Sequence, residues 1–380
     1  MPSLLMITTV PDTLRGFLLP FAEHFRRRGF RVDAMAAGVS GCRDSVAAFD
    51  RVWEVGWSRN PLDLRNLAVA RRVRDVATRY DLVHVHTPVA SFVTRLALRG
   101  RARTGRPRVI YTAHGFHFYR GGPRLRGLAF RVLEQLAGRW TDYLVVINRE
   151  DEEAARRMLL AERVRYMPGI GVDLDRYAPA AVSDTDVSRV RGELALGPAT
   201  RLFLMIAEFI PRKRHRDALA AFARLDRPDA RLAFAGTGPL VDEMKRRAAE
   251  LGVADRVHFL GVRRDIPALV RASVAVLLPS EQEGLPRSAM ESMSLGVPVV
   301  GSRIRGTADL LEGGGGVLVP VGDLAALTDA LARILDHPDE AREMGRRGRE
   351  RAASYHLGTI ITLHDALYEE ALRDLVTAAI

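Results

Sequence analysis

The chain has 380 residues, enough for two domains of ordinary size, and its 47% hydrophobic and 27% charged residues with 32 glycines suit a soluble α/β enzyme. No apolar run approaches the roughly 18 residues of a spanning helix. Cys42 is the single cysteine, which excludes an intrachain disulfide and a cysteine-rich zinc site and points to a reducing, cytoplasmic setting. The net charge of +11 is uneven: residues 1–180 carry 30 Arg against 18 acidic residues, and 181–380 carry 27 Arg and Lys against 28, so the basic first half suits an anionic surface.

Strand-like and helix-like runs alternate along the chain, which predicts parallel sheets with crossover helices. The apolar opening Leu4–Thr9 reads as a first strand, not a signal peptide. A helix is expected at Phe17–Arg28, with Phe17, Leu18, Phe21 and Phe25 on one face and Gly29 as its stop. Strands follow at Arg31–Ala36, Leu82–Val85, Val109–Thr112 and Tyr143–Ile147, with helices near Leu64–Arg79, Val89–Leu98 and Arg126–Leu136. Tyr177–Pro198, with two prolines and little apolar periodicity, reads as a linker. Beyond it strands are expected at Arg201–Ile206, Leu232–Ala235, Val257–Leu260, Ser273–Leu278, Val299–Gly301 and Gly316–Val319. Helices are expected at His215–Ala223, Val241–Leu251, Ile266–Arg271, Arg287–Leu295 and Leu324–Leu335. The fold class is therefore α/β with two Rossmann-like domains, 1–178 and 179–359.

Four segments carry candidate chemistry, each at the C-terminal edge of a predicted strand, where doubly wound sheets bind ligands. In the first, Glu283 and Glu291 lie eight residues apart around Gly284-Leu285-Pro286. Pro286 suits a first helical turn, the turn's free N–H groups suit a diphosphate, and the two carboxylates can accept from sugar hydroxyls. Read as an isolated pair, these glutamates are surface charges; the strand–loop–helix context favours a site. The second is Thr112-Ala113-His114-Gly115, with His117 nearby as a packing or acceptor-side residue. The third is Arg212-Lys213-Arg214-His215, cations able to neutralise phosphate or, on charge alone, a solvated basic turn. The fourth, Gly236-Thr237-Gly238, allows close backbone approach to a ligand and is a weak signal. Asp173/Asp175 and Asp184/Asp186 could bind a metal but read as turn residues, and His84 and His86 alternate on one strand face.

In this order the segments Asp81–His86, Tyr111–Pro123, Pro168–Asp173, Gly236–Pro239 and Glu283–Val300 resemble, nearly end to end, family 4 retaining glycosyltransferases of the GT-B fold. Tyr111–Pro123 resembles the bacterial exopolysaccharide and capsule enzymes in particular. The resemblance implies two domains facing across a cleft, a final helix over about 360–380 that crosses back onto the first domain, and a nucleotide-sugar donor, a UDP-sugar first among candidates, with no metal or other cofactor. It makes His114 and Glu283 the catalytic candidates. Arg212, Lys213, Gly238, Gly284, Leu285, Pro286 and Glu291 would bind the donor, with Glu291 on the ribose and Lys213 on the diphosphate. Arg15, Gly16 and His117 would lie on the acceptor side. No side chain stands out as a covalent nucleophile, so front-face displacement is expected. Two departures matter: Asp12-Thr13 replaces a Gly-Gly pair, and Ala207-Glu208 replaces Gly-Arg, where Arg212 would substitute.

The leading expectation is transfer of a hexosyl or N-acetylhexosaminyl group to a lipid-linked or saccharide acceptor. The enzyme would work at the inner face of the plasma membrane, with Arg99–Arg108 and Arg120–Arg139 against anionic lipid. A soluble small-molecule acceptor and a nucleotide-sugar epimerase on the same fold are the alternatives. Nucleic acid is not expected as a partner, because the basic half lacks interleaved aromatics and a binding motif.

Overall fold

Leu4, Leu5, Met6 and Ile7 are all buried, alternate side chains pointing to opposite faces of their strand. A strand buried on both faces belongs at the centre of a parallel sheet covered by helices. The computed structural model, which describes residues 1–58, 63–100, 107–159 and 161–377, shows two such sheets. The first contains β1 (Ser3–Ile7), β2 (Arg31–Ala36), β3 (Arg51–Glu54), β4 (Leu82–Val85), β5 (Arg108–Ala113), β6 (Tyr143–Val146) and β7 (Val164–Tyr166) in the order β3-β2-β1-β4-β5-β6-β7. The second contains β8 (Arg201–Ile206), β9 (Ala230–Ala235), β10 (Val257–Gly261), β11 (Ala275–Leu278), β12 (Val299–Ser302) and β13 (Gly316–Val319) in the order β10-β9-β8-β11-β12-β13. All pairings in both sheets are parallel.

Each sheet reverses its winding once, between β1 and β4 in the first and between β8 and β11 in the second. Loops that leave such neighbours diverge to opposite faces and open a crevice beyond the strand ends. The segments after β1, β4, β8 and β11 are thus the positions the topology sets aside for ligands.

The chain divides into Met1–Ile170 with the stretch from Thr359 onward, and Gly171–Gly358, so the change falls at Ile170/Gly171, not at 178/179. Val172 bridges to His356 and Arg271 binds the Pro179 carbonyl at 2.9 Å, which ties residues 172–179 to the second unit. The expected linker Tyr177–Pro198 is likewise part of that unit. It contains a helix, Asp184–Glu193, whose N-cap Ser183 accepts from the Asp186 N–H, and whose Val190 is fully buried.

Other differences have local causes. β3 and β7 are short edge strands with charged or half-exposed residues, so their hydrophobic signal is weak. The first helical segment begins at Pro11, whose fixed φ suits a helix start, and widens into a π-turn over Leu14–Leu18 before Leu19–Arg27. Asp12 and Gly16 therefore lie in helical turns and not in an open loop. The final helix, Leu357–Thr377, buries Ile360, His364, Leu367, Tyr368, Ala371 and Leu375 along one face. That face packs on the first unit through Phe21–His364 and Phe25–Tyr368 ring contacts and a 2.6 Å bond from Tyr143 to Asp374. No described helix is long and apolar enough to cross a membrane.

Candidate active site

In the second unit two loops leave the switch point together. After β8 the chain turns through Pro211–Lys213, and Arg214 takes a left-handed conformation (φ 55°) before the helix His215–Arg224. After β11 it runs through Glu281–Pro286 into the helix Arg287–Ser294. The loops are joined by the Glu281 N–H, which donates to the Arg212 carbonyl at 2.9 Å, and by Lys213 Nζ, which lies 2.6 Å from Glu283 Oε1. The Lys213 and Glu283 side chains are 17% and 10% exposed, so their charges meet in a partly dry place where electrostatic attraction is strong. Lys213 and Glu283, 70 residues apart in sequence, are brought into contact. Arg212 keeps its side chain in solvent.

Pro286 stands at the N-cap, one residue before the helix and not in its first turn. The first-turn N–H groups lack intrahelical partners and carry the positive end of the helix dipole, an arrangement that favours an anion. Leu285 is buried beneath this loop. Glu291 is buried inside the helix, where burial pushes its carboxyl pKa up against the pull of Arg287 and Tyr177. Arg287 Nε holds it at 2.7 Å one helical turn away. The Tyr177 hydroxyl also bonds this carboxylate, and burial followed by the carboxylate charge raises the phenol pKa.

The sequence reading missed three contributors to this site: Tyr177, Arg305 and Gly306. Arg305 Nε donates to the Glu283 carbonyl at 3.2 Å. Gly306 (φ 74°) lies so close to the loop that a Cβ there would overlap the Gly284 carbonyl oxygen. A glycine in a strand-to-helix segment, Ser302–Thr307 after β12, was the available signal.

Two expectations change. His215 does not join the basic cluster: it is buried, stacked on Phe209 at 4.0 Å, and burial followed by the Lys213 charge lowers its pKa to about 4. Gly236 and Gly238 make their close approach to the chain itself. Side chains there would strike the backbone of Ala207 and Phe209, and the Phe209 N–H donates to the Thr237 carbonyl at 2.8 Å. This packing holds the Ala207-Glu208 turn, whose Glu208 side chain is exposed.

In the first unit His114 follows β5 and is half-buried. It ends a row of histidines. His84 lies 2.6 Å from the Tyr368 hydroxyl and 2.7 Å from Thr112 Oγ1, and its ring meets that of His86 at 4.0 Å. His86 Nδ1 is 3.3 Å from His114 Nε2, and its own Nε2 is buried with no hydrogen-bond partner among the described residues. His364 stacks on His84, and its Nδ1–H donates to the Ile360 carbonyl at 2.8 Å. Burial lowers the pKa of all four: to about 4 for His114 and His364, and well below the usual value for His84 and His86. The row is neutral at pH 7, so His114 presents a hydrogen-bonding ring and not a charge. His117 is exposed, its ring 4.8 Å from Phe130. Arg15 pairs with Asp12 at 3.2 Å, and Gly16 has open space where a Cβ would stand. Asp173 accepts from the Asp175 and Arg176 N–H groups, so it serves a turn, as Asp186 serves the Ser183 cap. Residues 101–106 of the expected basic stretch Arg99–Arg108 lie outside the described residues.

Comparison with known proteins identifies the family. The description "Glycosyltransferase Family 4" matches residues 17–176, and "Glycosyl transferases group 1" matches 187–351. EpsD of Bacillus subtilis (strain 168), which bears a glycosyltransferase name, is 31% identical over 358 residues, 93% of this chain and 92% of its own. The UDP-Gal:alpha-D-GlcNAc-diphosphoundecaprenol alpha-1,3-galactosyltransferase of Escherichia coli is 30% identical over 266 residues, 68% of this chain and 67% of its own. The structure of Anabaena HepE in complex with UDP and glucose superimposes with a TM-score of 0.82 at 20% identity, over 97% of this chain and 100% of that one. With its two Rossmann-like units of the GT-B fold, the chain belongs to the family 4, group 1 glycosyltransferases.

Proposed function

We propose that this enzyme transfers a hexosyl or N-acetylhexosaminyl group from a UDP-sugar to a lipid-linked saccharide precursor of an exopolysaccharide, with retention at the anomeric carbon and without a metal. The observation that carries the reading is the Lys213–Glu283 pair at the second unit's switch point. Glu283 would accept from donor-sugar hydroxyls. Lys213, the exposed Arg212 and the N-terminus of the helix Arg287–Ser294 would take up the diphosphate charge, and Glu291 the ribose hydroxyls. His114 would hydrogen-bond a sugar hydroxyl. The acceptor oxygen attacks the anomeric carbon on the face that the diphosphate leaves, and the departing diphosphate oxygen takes the acceptor's proton. The residues supply orientation and charge stabilisation rather than a covalent bond.

The choice of UDP and of a lipid-linked acceptor is supported by the name of the E. coli relative and by the UDP-bound HepE structure. Placement against an anionic membrane is supported by the helix Arg124–Gly138. It exposes Leu125, Leu128, Val132 and Leu136 along one stripe, with Arg124, Arg131 and Arg139 beside them, the pattern of an interfacial helix. Turnover of UDP-, GDP- and dTDP-sugars in EDTA, by wild type and Glu283→Ala, tests the reading. Hydrolysis of one UDP-sugar that falls about 100-fold or more in the variant is the expected result. Strict dependence on a divalent cation, or an unaffected variant, would overturn it.

A further inference from the structure

The first unit has a second feature at its switch point. A cavity of about 960 Å³ opens between the helices Pro88–Ala97 and Arg124–Gly138, walled by Phe92, Val93, Phe130 and Leu133. At the strand edge it reaches Thr9 and Thr87, the residues that follow β1 and β4 and whose hydroxyls lie 2.7 Å apart. The cavity is therefore amphiphilic along its length: hydroxyls where the sheet reserves a ligand position, hydrocarbon between the helices.

Its lining also holds two charged side chains, Glu134 and Arg126. Glu134 in the wall is bound by the buried Arg95 at 2.9 Å, so it adds no free negative charge. Arg126, also in the lining, is exposed, lies over the Phe130 ring at 5.6 Å, and has no acidic partner among the described residues. A long hydrocarbon with an anionic head fits these features. The volume lies at the upper end of the ~300–1,000 Å³ of small-molecule sites, room for several isoprene units. The outer side of the same helix carries the exposed Leu125, Leu128 and Val132, so a chain leaving a membrane would pass from one apolar face of this helix to the other.

We infer that this groove holds the first isoprene units of a polyisoprenyl diphosphate, with Arg126 at the diphosphate, and that it is the part of the enzyme that reads the acceptor's lipid. The inference rests on the lipid-linked reading above and specifies its site. Burial of branched hydrocarbon supplies the affinity, and the arginine supplies charge-assisted bonds to phosphate oxygens.

The test is equilibrium binding of geranylgeranyl diphosphate below its micelle concentration. Wild type should bind it at least tenfold more tightly than inorganic diphosphate or dodecyl phosphate. Ala129→Trp, which narrows the groove, should lose at least tenfold in affinity with an unchanged melting temperature. If that variant does not fold, Leu133→Glu, at a position 40% exposed, replaces it. Equal affinity for inorganic diphosphate, equal affinity for dodecyl phosphate, or wild-type affinity in the folded variant would overturn the inference. Transfer assays separate the two readings. Isoprenoid binding that the variant loses, with no transfer to any lipid-linked acceptor, leaves the groove and removes the acceptor assignment. Transfer with a KM indifferent to tail length and to Ala129→Trp does the reverse.

Discussion

Glu291 carries a carboxylate where most of its surroundings are protein, and it persists there because Arg287 and Tyr177 both reach it. Removing one partner of a buried charge leaves the rest under-satisfied and costs about 1–3 kcal/mol. Tyr177→Phe is therefore expected to raise the donor KM about tenfold with little change in kcat, measured by initial rates across donor concentration. Gly306 is constrained differently, by backbone contact and a left-handed φ. Gly306→Ala must displace the Gly284 carbonyl, at a cost on the order of 1–3 kcal/mol in strain. A lowered melting temperature and at least a tenfold lower kcat/KM should result; an unchanged kcat/KM would show that the Gly284 loop need not stay where it lies.

At the scale of elements, the helix Asp184–Glu193 depends on its start. Ser183→Ala removes the side-chain acceptor for the Asp186 N–H and should cost about 1 kcal/mol of stability, read from a denaturant midpoint, with activity retained. The Ser-x-x-Asp spacing was in the sequence all along. Pro179, Pro198 and the weak apolar periodicity give the same segment the pattern of a linker. The helix Arg124–Gly138 was legible as a helix, but which residues it leaves uncovered was not. Leu128→Glu with Val132→Glu, at positions 58% and 53% exposed, should weaken binding to vesicles of anionic phospholipid by tenfold or more, measured by co-sedimentation, while folding is preserved.

At the scale of the whole molecule, the buried histidines couple stability to pH. His84, His86, His114 and His364 have pKa values depressed by burial below the ordinary 6.5, to about 4 for His114 and His364, so as pH falls below 6.5 the unfolded chain binds protons that the folded protein refuses. Their contribution is present in full above pH 6.5 and is lost as pH falls towards 4. A histidine charged in the unfolded chain and neutral in the fold contributes a slope of at most about 1.4 kcal/mol per pH unit. Unfolding free energy should fall on acidification from pH 7 to 4.5, and His364→Leu should make the decline shallower by about one proton. An identical slope in the variant would mean that His364 is protonated in the fold.

The sequence by itself determined the alternation of strands and helices, hence two parallel α/β sheets, because apolar periodicity and glycine stops are local properties of the chain. It also marked His114, Lys213, Glu283 and Glu291, since each sits in a segment bounded by a legible strand. Tertiary structure alone decided that Lys213 meets Glu283, because β8 and β11 become neighbours only when the sheet forms. It decided that His215 is core and not cluster, that Tyr177 reaches Glu291 from 114 positions away, and that Arg305 and Gly306 each reach the Glu283–Gly284 loop from 22 positions away. Contacts between residues far apart in the chain depend on strand order and loop closure, and no local pattern records them.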